Sequence, residues 1–342
     1  MSETNDDLRG ILLEQVERLL TDRSGPDLLR VAERGEWPAA LWEEVEALGL
    51  PLALVPEAMG GAGLGWGDAV AVWQVLGRHG APLPLAGSMA AAALLAAAGI
   101  TPPSGLIALV VPGEAVPWGR QAGHVVTVDN AGQVALHAAA GLDWQQGRSL
   151  PGREPADRAS FGTPQAAGRL PDRLGPEAAL RAGALLHAAQ IAGALEAVLA
   201  MAVEYANTRQ QFGRPIGAFQ AVQQQLALCA AEVAAAGVAV AQAGRAAARR
   251  GLAGAEFEIA SAKVVAGEAA GTGAAIAHQV HAAIGFTDEH PLHLFTRRMW
   301  SWRDACGAER FWARRIGQAA LARGGAALWP DLTARDETEI SA

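Results

Sequence analysis

The chain has 342 residues, 51% of them hydrophobic, and a formal net charge of −8 at pH 7. That length gives room for roughly two or three packed domains, and the acidic balance disfavours nucleic acid or an anionic membrane as a general partner. No run of about eighteen strongly apolar residues reads as a membrane span. The two cysteines, Cys229 and Cys306, give neither a disulfide framework nor metal-ligand spacing, and the polar start MSETNDDLRG shows no leader, so a reduced, cytoplasmic protein is expected. The 10 tryptophans read mostly as packing units.

In chain order, DDLRGILLEQVERLL places apolar residues at helical spacing from Asp6 to Leu20, and a second helix is expected from Pro38 to Leu48. Gly60, Gly61, Gly63 and Gly65 make a loop with Asp68 near the start of the next helix. The loop lacks the strand-turn-helix spacing of a dinucleotide fingerprint. From Leu106 to about Gly162, IALVVPGE and HVVTVDNAGQVALHAA alternate β-branched and polar residues around a turn at Asp129–Gly132. A Pro- and Gly-rich linker is expected over 147–175. Helices are then expected at 176–212, 215–250, 255–283 and 304–323, as an antiparallel four-helix bundle whose Ala-rich faces let axes approach and can pack on other subunits. The domain reading is thus 1–104 helical, 105–175 a reduced β middle, 176–330 a helical bundle and 331–342 a tail.

One stretch stands out in this Ala-rich helical half, Tyr205 to Gln220, YANTRQQFGRPIGAFQ. Gly213 and Pro215 are a stop signal followed by a pre-set start, and Arg209 among Gln amides suits a phosphate because the guanidinium offers several donors in one plane. A solvated Arg at a helix end is the plainer alternative.

The stretch resembles the R-x-x-F-G-x-P-I…Q segment of the acyl-CoA dehydrogenases, flavoproteins that desaturate acyl-CoA thioesters. The resemblance implies that Arg209, Phe212 and Gln220, with Ile216 and Phe219 between them, hold the diphosphate and adenine side of an FAD belonging to a neighbouring subunit. Leu48 to Ser88 is similar to the family's N-terminal domain, whose VPEAxGGxG loop and LGR…PxP segment help to wall the substrate cavity. Gln279 to Phe286, QVHAAIGF, resembles the loop Q-x-x-G-G-x-G-F that approaches the FAD diphosphate. Gln279 and Gly285 match, but Ala282 and Ala283 replace the paired glycines, and a methyl at each narrows close backbone approach. His281 beside this loop reads as a satisfied polar residue, with no second His at metal spacing.

The family's base is a carboxylate. Counting forward from the second loop without a gap, its place falls on Cys306, and the family's variant place on the helix before R-x-x-F-G falls on Gly183. Neither is acidic. Asp304 or Glu309 could serve through a shift of register, whereas Cys306 as a thiolate base would need a cationic neighbour. The third reading, to which the shortened β region and lost glycines point, is a chain without the base, working beside an acyl-CoA dehydrogenase-like partner that has it. It resembles the shortened subunits of heterotetrameric steroid-degrading acyl-CoA dehydrogenases. The expected cofactor is FAD, the substrate an acyl-CoA and the assembly a homo- or hetero-oligomer, with no metal, nucleic acid or membrane. The rivals are a self-sufficient homo-oligomeric dehydrogenase using Asp304 or Glu309 and a non-redox binding or scaffold protein on the same fold; the electron acceptor is open, oxygen included.

Overall fold

The computed structural model describes residues 3–335. The N-terminal part is helical, with α1 (Glu3–Arg23), α2 (Pro26–Glu33), α3 (Ala39–Ala47), α4 (Trp66–Arg78) and α5 (Leu85–Ala97). Asp68 caps α4, its Oδ2 accepting from the Gly65 amide at 2.9 Å. The expected second helix is α3; α2 was not anticipated, though Pro26 at its first turn after Gly25 is a start signal.

The middle holds β1 (Ile107–Leu109), β2 (Val116–Pro117), β3 (His124–Val128), β4 (Gln133–Ala138), β5 (Ala156–Asp157) and β6 (Ala166–Arg169). Four of these form one sheet in the order β1-β3-β4-β6, while β2 pairs with β5. The β3–β4 turn is held by Asp129, whose Oδ1 accepts from the amides of Ala131 and Gln133 at 2.8 Å each. Alternation along the strands splits the faces, since Ile107, Leu109, Val126, Val134 and Leu136 join the main core whereas Ala108 and Val125 enter a smaller cluster under Trp144 and Phe161. The segment 147–175 is therefore no simple linker, because β5 and β6 lie in it. Such short strands leave almost no periodic signal.

The C-terminal part contains α6 (Ala178–Thr208), the hairpin strands β7 (Gln210–Gln211) and β8 (Arg214–Pro215), then α7 (Gln220–Gly254), α8 (Glu256–His281), α9 (Leu292–Asp304), α10 (Glu309–Arg323) and α11 (Gly325–Thr333). α6, α7 and α8 pack on one another and α10 packs on α8, giving the expected four-helix bundle. The first bundle helix stops at Thr208 instead of Phe212, and α9 is an addition. The expected tail begins as helix, and residues 336–342 lie outside the described residues.

Two contacts fix the site's walls. A Cβ at Gly193 would lie 1.9 Å from the Gln74 carbonyl oxygen and one at Gly77 would lie 2.0 Å from that of Gln190, so α4 and α6 cross closely only because both residues are glycine. The fully buried Arg298 of α9 bridges Glu33 of α2 and Glu154 of the 147–155 loop, at 3.3 and 3.2 Å. Breaking such a buried pair costs about 3–5 kcal/mol, so α9 is firmly set. α6 and α7 are long and apolar enough to cross a bilayer, but α6 is largely sheathed by its neighbours while α7 leaves an Ala-rich face outward.

Candidate functional site

A cavity of about 310 Å³ lies between the β region, α5, α6 and the end of α9. Gly183 and Cys306 both line it, and a Cβ on Gly183 would fall 2.4 Å from Cys306 Sγ. The two places counted separately for a base are thus one place in space, and neither side chain there is a carboxylate. Burial and the Glu114 charge push the Cys306 thiol up to about 12, which removes it as a thiolate. Cys306 has φ +55, and Gly307 follows at φ +90, so the chain turns sharply at the end of α9. Lys263 holds this turn from beneath, its Nζ donating to the carbonyls of Trp302 at 2.7 Å and Arg303 at 2.6 Å. Burial lowers its pKa to about 8.

Of the two candidate replacements, Asp304 is on the cavity wall but exposed. Glu309 is not on that wall; it pairs with Arg303 and presses against Gly267 on α8. Sequence reasoning missed Glu114. It sits on the loop after β1, lines the cavity, and its Oε1 accepts the Cys306 amide at 3.0 Å. The contact spans 192 positions, so no local signal could have revealed it. His187, one helical turn beyond Gly183, also lines the cavity. Burial and the nearby Lys263 cation push it down to about 3, and its Nδ1 is buried without a hydrogen-bond partner among the described residues. The LGR…PxP segment contributes Leu83 and Pro84 to this cavity, but the GGxG loop does not; Leu54, Leu64 and Gly65 line a separate apolar cavity against α7.

At the far end of α6 lies the conspicuous stretch. Gln211 pairs with Arg214, leaving Phe212 (φ +53) and Gly213 (φ +79) as a two-residue turn with both φ positive. Phe212 is 92% exposed at its tip. Arg209 is exposed beside it, and the Arg214 guanidinium lies 4.1 Å from the Phe219 ring centroid. Ile216 and Phe219 are half-buried and Gln220 is exposed at the start of α7. Tyr205 stacks on His281 with ring centroids 4.6 Å apart, which brings this hairpin and the loop after α8 to the same end of the bundle. There Gln279, Ala282 and Ala283 are exposed. Ala282 has φ +52 and ψ −137, a backbone suited to glycine, so the turn persists with an alanine in it. His281 is buried and bonds through Nδ1 to the Ala277 carbonyl at 2.8 Å, a structural role.

A helical N-terminal layer, a small central sheet and a helical bundle around one cavity are the architecture of the acyl-CoA dehydrogenases, oxidoreductases of the CH–CH group of acyl-CoA. The chain belongs to this family: residues 8–101 match its N-terminal domain and 176–321 its C-terminal domain. It is 35% identical over 300 residues to the acyl-CoA dehydrogenase IpdE2 of Mycobacterium tuberculosis, covering 85% of this chain and 90% of that protein. The IpdE2 of Mycolicibacterium smegmatis is 30% identical over 314 residues, covering 90% of this chain and 97% of that protein. Among solved structures, a variant of the Tcur3481–Tcur3483 steroid acyl-CoA dehydrogenase matches with TM-score 0.80 and 26% identity, covering 94% of this chain and 99% of that one. A chain of the ChsE4–ChsE5 complex from Mycobacterium tuberculosis matches with TM-score 0.78 and 25% identity, covering 95% and 98%.

Proposed function

We propose that this chain is the subunit of a hetero-oligomeric acyl-CoA dehydrogenase that completes its partner's FAD site and lacks the base at both of the family's positions. One observation carries the reading: a nearly fully exposed Phe212 beside Arg209 on a two-residue turn, in a chain whose own cavity holds Gly183 and Cys306 at the places where the family has its carboxylate. Phe286, 68% exposed, stands in the loop at the same end of the bundle, so the two rings offer an apolar surface to something outside the chain.

The residues fit the cofactor. Arg209 supplies the planar donors for a diphosphate, Phe212 and Phe219 supply apolar faces, Gln220 supplies an amide toward the adenine side, and Gln279 opens the loop that approaches the diphosphate. The backbone at Ala282 keeps the shape that lets a loop approach phosphate closely. Bound FAD supplies the acceptor for the hydride lost from the β carbon. The chain's own contribution is to bind and orient it and to exclude water from the boundary. The heteromeric pairs among its structural relatives support an unlike partner, which then carries the carboxylate. The steroid dehydrogenase among them favours a bulky, ring-bearing acyl-CoA.

The test is Arg209→Ala in this chain, co-purified with its partner. Flavin bound per assembly should fall while the assembly stays intact. Full flavin in an intact assembly would remove this half-site.

A further inference from the structure

The second cavity, of about 380 Å³, lies where the N-terminal layer, the loop before α6 and the end of α7 meet. It is larger than the first and falls within the usual range of small-molecule sites, roughly 300–1,000 Å³. Its walls are apolar, made by the buried Leu54, Leu64 and Leu174, the half-buried Trp66 and alanines of α5 and α7. α7 breaks at Gly251 (φ +76, ψ 172), where a Cβ would fall 2.2 Å from the Arg173 carbonyl oxygen. Only glycine lets the loop press so closely on the helix there.

Arg173 is the one charged residue on this wall among the described residues. Its backbone is fixed, since its carbonyl accepts from the Ala253 amide at 3.0 Å. Its guanidinium is exposed and has no hydrogen bond or ion pair among the described residues. Other arginines of this half differ: Arg181, Arg250, Arg298 and Arg315 are each paired with glutamates. An occupant with an apolar body and a single anionic end answers both features. The body takes apolar wall out of water, and the anion receives a planar fork of donors that matches a carboxylate. A neutral hydrocarbon would leave Arg173 unpaired, and a polyphosphate would bring more charge than one guanidinium meets.

We propose that this cavity is a second ligand site, which takes a free apolar carboxylic acid as its anion, with the carboxylate on Arg173 and the hydrocarbon between Trp66, Leu174 and the α5 alanines. The site is separate from the first cavity, with which it shares no lining residue. It is also remote from the 209–220 hairpin: Ala247 on its wall lies about 40 Å along α7 from Gln220. Neither Arg209 nor a flavin therefore enters it. Its walls come from three separate parts of the chain, so an occupant bound only by the folded protein holds them together and raises the unfolding temperature.

The experiment titrates the full chain with decanoate by calorimetry, with thermal unfolding alongside. Saturable binding is expected, together with a rise in unfolding temperature. Arg173→Gln should weaken decanoate by about fivefold, the upper end for an exposed ion pair. Ala93→Leu puts a side chain into the space from α5 and should abolish binding. Gly87→Leu stands on the wall of the first cavity, with open space at its Cβ, and should leave binding unchanged. No saturable binding by the wild type, wild-type affinity in Arg173→Gln or in Ala93→Leu, or loss of binding in Gly87→Leu would each overturn the proposal.

Discussion

Replacing Phe212 with alanine separates a role outside the chain from one within it. The side chain is 92% exposed, so its removal costs the isolated chain almost no buried area. Its closest aromatic neighbour is Phe219, at 6.1 Å between centroids. Alanine at φ +53 is strained about as much as phenylalanine, so the turn itself is not weakened. Chain stability should therefore shift by no more than about 0.5 kcal/mol. If FAD and the partner cover the ring, the lost burial is that of a whole Phe side chain, about 1.5–3 kcal/mol. That corresponds to roughly 10- to 150-fold weaker flavin binding. The assay is flavin titration of the apo-assembly, followed by quenching of flavin fluorescence, alongside thermal unfolding of the chain alone. Unchanged flavin affinity would refute the reasoning. So would a large fall in the unfolding temperature, since it would make Phe212 a folding residue.

Ala282→Gly removes a side chain from a backbone at φ +52 and ψ −137, and should raise stability by about 1–3 kcal/mol while tightening flavin binding; a loss of stability in thermal unfolding would contradict this. Asp304→Asn and Glu309→Gln should leave turnover of the assembly intact, with Glu309→Gln costing at most about 1 kcal/mol through its part-exposed pair with Arg303; abolished turnover in either would restore the self-sufficient rival. Four histidines gather behind the 282–286 loop. Burial and neighbouring imidazoles push His278 down to about 4, and burial lowers His281, His290 and His293 as well. An unfolded histidine titrates near 6.5, so below that pH the unfolded chain binds protons that the folded chain refuses. Their contribution is fully present above about pH 6.5 and is lost as pH falls toward 4. Denaturant midpoints that stay flat from pH 7 to 5 would show that the cluster is not held neutral.

How far the sequence could be read depended on whether a feature was local. YANTRQQFGRPIGAFQ carries its own turn chemistry, with Gly213 and Pro215 marking the break, and the bundle helices declare themselves through long Ala, Leu and Val runs. Even there, the exact geometry at Phe212 was hidden, because a two-residue turn with positive φ is an arrangement of backbone and not of composition. Strands β5 and β6 lie in a Pro- and Gly-rich segment and exist because they pair with β2 and β4, so tertiary contact overrode local preference. The end of α9 shows the sharper limit. Counting residues reached Cys306 and Gly183 separately, yet only the folded chain reveals that they touch, and that Glu114 and His187 come to the same cavity from other elements. Glu309, close to Cys306 in sequence, is turned to Arg303 and Gly267 instead.

The measurement that tests the central claim most directly is flavin per chain, from flavin absorbance and the mass of the assembly by light scattering, for the protein alone and with its acyl-CoA dehydrogenase-like partner. A half-site subunit predicts little flavin alone and about one FAD per pair of unlike chains. One FAD per chain in a homo-oligomer would contradict it, since Arg209 and Phe212 would then complete a site that this chain already builds for itself.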